Sequence, residues 1–275
     1  MARFFAHLRQ NRVSLFFFLT ALLALVACAL RTLAFLIGFD AEIGYFRSAS
    51  LPIVLANACL ILCAVPCVAI SFLINREQIP TESKPLCSPR FISAASVAAL
   101  TCLAAFFLIL RADDIPAPKM LVLLAAVLLI GTAAYFLRRL YGVATNSVAA
   151  LGFFTIFGAA FTLAITYFDR YTQMNAPHKI SLHLCMLAIM FAMLYELRAL
   201  LGRPTTRAYV GVTAFAAVLC AVFSVSNIIA LFANVYSSAL YLVFDLVALG
   251  YAAYFITKSI HLAVAFAKAD TEVEE

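Results

Sequence analysis

The chain has 275 residues, 66% of them hydrophobic and 12% charged, and a formal net charge of +6. A soluble domain is about half apolar and about a quarter charged, so this balance excludes an ordinary soluble fold and points to a multi-span membrane protein. The basic residues sit in short loops between apolar runs, a distribution that sets membrane topology and argues against nucleic-acid binding.

The N-terminal stretch MARFFAHLRQNR precedes an apolar run over 13–39. Leu25-Val26-Ala27-Cys28 matches a lipoprotein cleavage box. The run nevertheless continues past Cys28 to spanning length, so it reads as a first span and not as a cleaved signal. Seven further spans are expected at 51–74, 91–110, 120–137, 148–168, 180–201, 209–232 and 236–257. Each supplies the ~20 apolar residues that a helix needs to cross the hydrocarbon core. The ~10-residue alternating segments of a membrane barrel are not seen. The expected fold is all-α: a polytopic membrane bundle of eight transmembrane helices, one integral membrane domain over 1–275 in contact with the lipid bilayer.

With the N-terminus placed in the cytoplasm, thirteen Lys and Arg fall on the cytoplasmic side. Five fall opposite (Arg47, Arg111, Lys119, Arg170 and Lys179), and Arg31 lies inside span 1. This bias predicts a plasma-membrane protein with both termini cytoplasmic. The longest cytoplasmic loop, NREQIPTESKPLCSPR, contains three Pro and reads as an irregular linker. The C-terminal DTEVEE is acidic, and its last residues are expected to fray.

The two halves, 13–140 and 148–260, share short strings in the same order. TLAFLIGFD ends at Asp40 and TLAITYFD at Asp169; Pro80-Thr81 matches Pro204-Thr205; GTAAYF begins at Gly131 and GYAAYF at Gly250. Two readings stand: chance, since apolar helices share a small alphabet, and a duplication, which an even number of spans per half would make parallel, four plus four.

Three groups of residues could carry chemistry. Cys59, Cys63 and Cys67 repeat every four residues along one face of span 2. Thiolates so spaced could hold a soft metal. Small residues that let helices approach closely are the favoured reading, so no metal or cofactor is expected. Glu196 and Arg198, near the inner end of span 6, read as a charge pair at a helix end. The third group is intramembrane and polar: Arg31, Asn57, His183, Asn227 and Asp245, all in the half of the bundle away from the termini. Ionisable groups at this depth need a partner or water, and they mark functional sites by default. An Arg31–Asp245 pair is expected, either lining an outward-opening pocket or tying span 1 to span 8.

GFDAEIGYF after span 1, and QMNAPHKISLHLCMLAIMFAMLYELRALLGRPTTRAY around span 6, resemble two signatures of a group of uncharacterised multi-pass proteins from anaerobic Gram-positive bacteria. The resemblance implies a bacterial membrane protein and transfers no catalytic residue. It draws attention to Asp40, Gly44, Tyr45, Asn175, Pro177, Lys179, Glu196 and Arg198. Gly44 is expected to take a positive φ and Pro177 to open span 6.

No HExxH, GxSxG, P-loop or GxGxxG motif occurs, so an enzyme ranks third among the readings. The first is a transporter or ligand-binding membrane subunit for a small polar solute. The second is a scaffold or sensor that docks a membrane protein partner.

Overall fold

A computed structural model describes residues 2–40, 44–47, 50–73, 78–79, 89–111, 118–140, 146–169, 173, 176–203, 205–235 and 239–271. Inside a bilayer each backbone polar group must be bonded within the chain, and apolar runs of this length therefore become helices. There are eight among the described residues: α1 (Ala2–Gly38), α2 (Leu51–Leu73), α3 (Pro89–Arg111), α4 (Lys119–Leu140), α5 (Asn146–Phe168), α6 (Pro177–Leu200), α7 (Ala208–Phe232) and α8 (Ala239–Thr271). All eight are long and apolar enough to span a membrane, so the all-α polytopic bundle expected from the sequence is observed.

α7 ends at Phe232, Asn234 takes φ 55°, and the described spanning part of α8 is Leu240–Leu262, which runs past the expected end at 257. The expected start of span 8, at 236–238, lies outside the described residues. Asp245 lies five residues into the described span, about 8 Å at 1.5 Å per residue.

Helices α3 to α8 form a closed ring in which each packs on the next and α8 returns to α3. The α1–α2 pair stands outside the ring and packs mainly on α7. Burial follows this plan: 67% of the α8 window and 61% of the α7 window are buried, against 11% for α1. The closest approaches are at glycines. A Cβ on Gly250 of α8 would stand 3.0 Å from the Cα of Ala98 on α3, and one on Gly211 of α7 would stand 2.6 Å from the Cys67 carbonyl oxygen on α2. Cys63 and Cys67 are buried and Cys59 is half-buried, so the cysteine stripe belongs to this helix packing. Helix neighbours differ between the two halves: α7 packs on α6, α8, α1 and α2, whereas the main neighbours of α3 are α4 and α8.

Eight spans bring the chain back to the face on which it began, here called the terminal face. On the opposite face, β1 (Phe39–Asp40) pairs antiparallel with β2 (Tyr45–Phe46). Gly44 has the positive φ expected of it, 75°, and Phe35, Phe39 and Phe46 pack ring against ring beneath the hairpin. On the terminal face, β3 (Gln78–Ile79) pairs antiparallel with β4 (Thr205–Thr206). The linker after α2 is thus not wholly irregular: it is bonded to the loop after α6, next to the two Pro-Thr steps that the half-to-half comparison aligned. The acidic residues after Thr271 and the loop Cys87 lie outside the described residues.

Candidate functional site

Two clusters of buried polar side chains occupy the bundle, one near each face. The terminal-face cluster centres on Glu196 of α6, which is 1% exposed. Its Oε1 accepts hydrogen bonds from Arg139 Nη2 of α4 at 3.0 Å and from the Tyr254 hydroxyl of α8 at 2.9 Å. The Tyr209 hydroxyl of α7 donates to Oε2. Lys258 Nζ, one helical turn beyond Tyr254, stands 3.6 Å from Oε1. Arg139 Nε lies 3.5 Å from the Tyr254 oxygen. Phe91 of α3 completes the shell, with its ring under both cations at 5.6 Å from Arg139 and 5.9 Å from Lys258. Side chains from three other ring helices thus meet on one carboxylate of α6, and α3 packs against the two cations. Tyr135 of α4 is buried beside it, and its hydroxyl has no hydrogen-bond partner among the described residues.

The structure separates Glu196 from Arg198. The two sit two positions apart on a helix, about 200° around the axis, so one faces the bundle and the other does not. Arg198 is exposed while Glu196 is buried, and the partners of Glu196 come from α4, α7 and α8. Arg139 and Lys258, which the sequence presents as loop cations at span ends, are 3% and 1% exposed inside the ring.

The second cluster lies near the opposite face. Asp245 of α8 is 2% exposed, and its Oδ1 accepts one hydrogen bond, from Asn227 Nδ2 of α7 at 3.1 Å. Among the described residues no other hydrogen bond or ion pair reaches this carboxylate. The expected Arg31–Asp245 pair does not form. The Arg31 guanidinium instead lies over the Phe223 ring at 4.6 Å, and its Nη2 donates to the Pro177 carbonyl at 3.4 Å. That carbonyl belongs to the first turn of α6, so Arg31 ties the outlying α1 to the ring. Pro177 opens α6, as expected.

Residues at the α5–α6 turn extend this cluster. The Tyr241 hydroxyl, one turn before Asp245, donates to Asp169 Oδ2 at 2.9 Å. Lys179 Nζ donates to the Asp169 carbonyl at 3.2 Å and is fully buried. His178 meets Tyr241 edge to face at 4.7 Å.

The remaining candidates fall elsewhere. His183 is half-buried and hydrogen-bonded to Thr166 of α5 at 2.8 Å. Asn57 is exposed on the outer surface of α2, away from the ring. Of the five polar candidates, the fold brings Asn227 and Asp245 into contact and places Arg31 near them; it does not bring His183 or Asn57 to that site. Among the described residues no group of three or more His, Cys, Asp or Glu is placed to hold a metal ion.

The sequence signals for the missed residues are real but weak. Tyr254 and Lys258 are spaced i, i+4, and Tyr241 and Asp245 likewise, which puts each pair on one helix face. His178 and Lys179 follow directly on the helix-opening Pro177. Nothing in the sequence pairs Arg139 with Glu196, because 57 residues separate them. No family model, curated protein or solved structure matches this chain.

Proposed function

We propose that this integral membrane protein binds a small polar solute at the opposite-face cluster and carries it across the bilayer, with Asp245 as the recognising group. The observation that supports this reading is the state of the Asp245 carboxylate. The two carboxyl oxygens offer several acceptor positions, and here one neutral donor, Asn227, reaches them. Buried acceptors left undersupplied are costly, and a ligand that brings donors relieves the cost. The chemistry complementary to Asp245 is a protonated amine or a hydroxyl group. At 2% exposure the site is closed, so entry requires a helix to move. α1 is suited to this: it stands outside the ring, little of it is buried, and it packs on the ring mainly at α7, with Arg31 bonded to the first turn of α6. The membrane we propose is a bacterial plasma membrane, with both termini in the cytoplasm, on the strength of the Lys and Arg distribution.

The test is a thermal-shift screen of the purified protein against amines, amino acids and polyols, followed by uptake into proteoliposomes. The expected result is a compound class that stabilises the wild type, is taken up, and does neither with Asp245→Asn. Equal stabilisation of wild type and variant, or binding without uptake, would count against the reading.

A further inference from the structure

The position of Asn57 carries an inference about assembly. Asn57 lies six residues inside the span that begins at Leu51, about 9 Å from its end. Its side chain is exposed on the outer surface of α2 and makes no hydrogen bond within the described chain. Other exposed hydrogen-bonding side chains within the described spans, such as Ser14, Ser93, Arg138 and Arg198, sit within a turn of a span end, where water and headgroups reach them. An Asn side chain is too short to reach the interface from 9 Å, as a Lys or Arg could. Facing hydrocarbon, its amide would have neither water nor protein to bond with.

The surface around Asn57 is built for a helix. Val54, Ile61 and Val68 repeat every seven residues and are 56%, 72% and 54% exposed. Asn57 and Ala64 alternate with them at the intervening positions, also seven apart, and Ala64 is partly exposed. β-branched residues alternating with small ones at a mean spacing of 3.5 form the stripe that packs helix on helix at a shallow left-handed crossing.

We propose that this stripe of α2 binds the same stripe of a second copy of the chain, with the two Asn57 carboxamides hydrogen-bonded to each other across a two-fold axis. The symmetry selects this occupant. Both copies thread the membrane in the same direction, so an axis along the membrane normal brings Asn57 of one copy to the depth of Asn57 in the other. A carboxamide carries both a donor and an acceptor, so two of them satisfy each other. The stripe faces away from the ring, so the proposed solute site is not part of the interface.

The experiment is energy transfer between donor- and acceptor-labelled full chains in liposomes, diluted over a range of protein-to-lipid ratios. The wild type is expected to give concentration-dependent transfer with the stoichiometry of a dimer. Asn57→Leu is expected to weaken association about tenfold, the worth of one to two interhelical hydrogen bonds. Asn57→Gln, which keeps donor and acceptor, is expected to retain most of it. Because Asn57 makes no hydrogen bond within the described chain, the melt of detergent-solubilised Asn57→Leu should match the wild type, separating loss of assembly from loss of fold. Monomer at every ratio, equal association of wild type and Asn57→Leu, or α2 occupied by a different membrane protein would each overturn the proposal.

Discussion

Glu196 and Asp245 are both buried carboxylates inside the same helix ring, yet their surroundings are opposite. Glu196 receives hydrogen bonds from Arg139, Tyr209 and Tyr254 and has Lys258 at 3.6 Å. Asp245 receives one, from a neutral amide. A buried charge supplied by several donors from different helices fixes how those helices sit, because moving any one of them strands a charge. A carboxylate with one donor fixes little and keeps acceptor capacity. The terminal-face cluster is therefore the joint of the bundle, and the opposite-face cluster is where the proposed ligand would be accommodated.

The largest expected effect is at the joint. Glu196→Gln removes the charge that Arg139 and Lys258 face inside the ring, and it should lower stability by about 3–5 kcal/mol, read as a fall in the melting temperature in detergent. Combining Glu196→Gln with Arg139→Gln should cost less than the two single changes added together, with a coupling of about 1–3 kcal/mol. The same cycle on Arg31→Gln and Asp245→Asn should give a smaller coupling than at the joint, since no direct hydrogen bond or ion pair joins those two groups. A strong coupling there would restore the ion pair that the sequence suggests.

The tyrosines sharpen the comparison within one cluster. Tyr254→Phe removes a hydroxyl bonded to the Glu196 carboxylate and should cost about 1.5–3 kcal/mol. Tyr135→Phe removes a buried hydroxyl that has no hydrogen-bond partner among the described residues and should be neutral within about 0.5 kcal/mol, or stabilising. Equal losses in the two melts would mean that the Tyr135 hydroxyl is also part of the joint.

The helices were legible in the sequence because membrane spans announce themselves by length and apolarity, which are local properties. The far end of α8 was not: Lys258 marks a span end by composition, yet the spanning helix continues to Leu262. Depth was also legible: Arg31, Asn57, Asn227 and Asp245 do lie in one half of the bundle. Rotation about the helix axis was not. α2 is apolar on every side, so no contrast in its sequence says that Cys63 faces inward and Asn57 outward. Arg139 and Lys258 look like topology-setting cations from composition alone, and only the packing of α4 and α8 against α6 turns them inward. Glu196 carried the best unused signal, as a lone acid near the end of an apolar span with an expected cation two residues away on the wrong face.

The most direct measurement is a pair of thermal melts of Glu196→Gln and Asp245→Asn, purified in the same detergent. Asn at 245 keeps an acceptor for the Asn227 amide and leaves no ion pair broken, so this variant should remain within about 1 kcal/mol of the wild type while Glu196→Gln loses several. An Asp245→Asn loss as large as that of Glu196→Gln would contradict the assignment of one carboxylate to the fold and the other to a ligand.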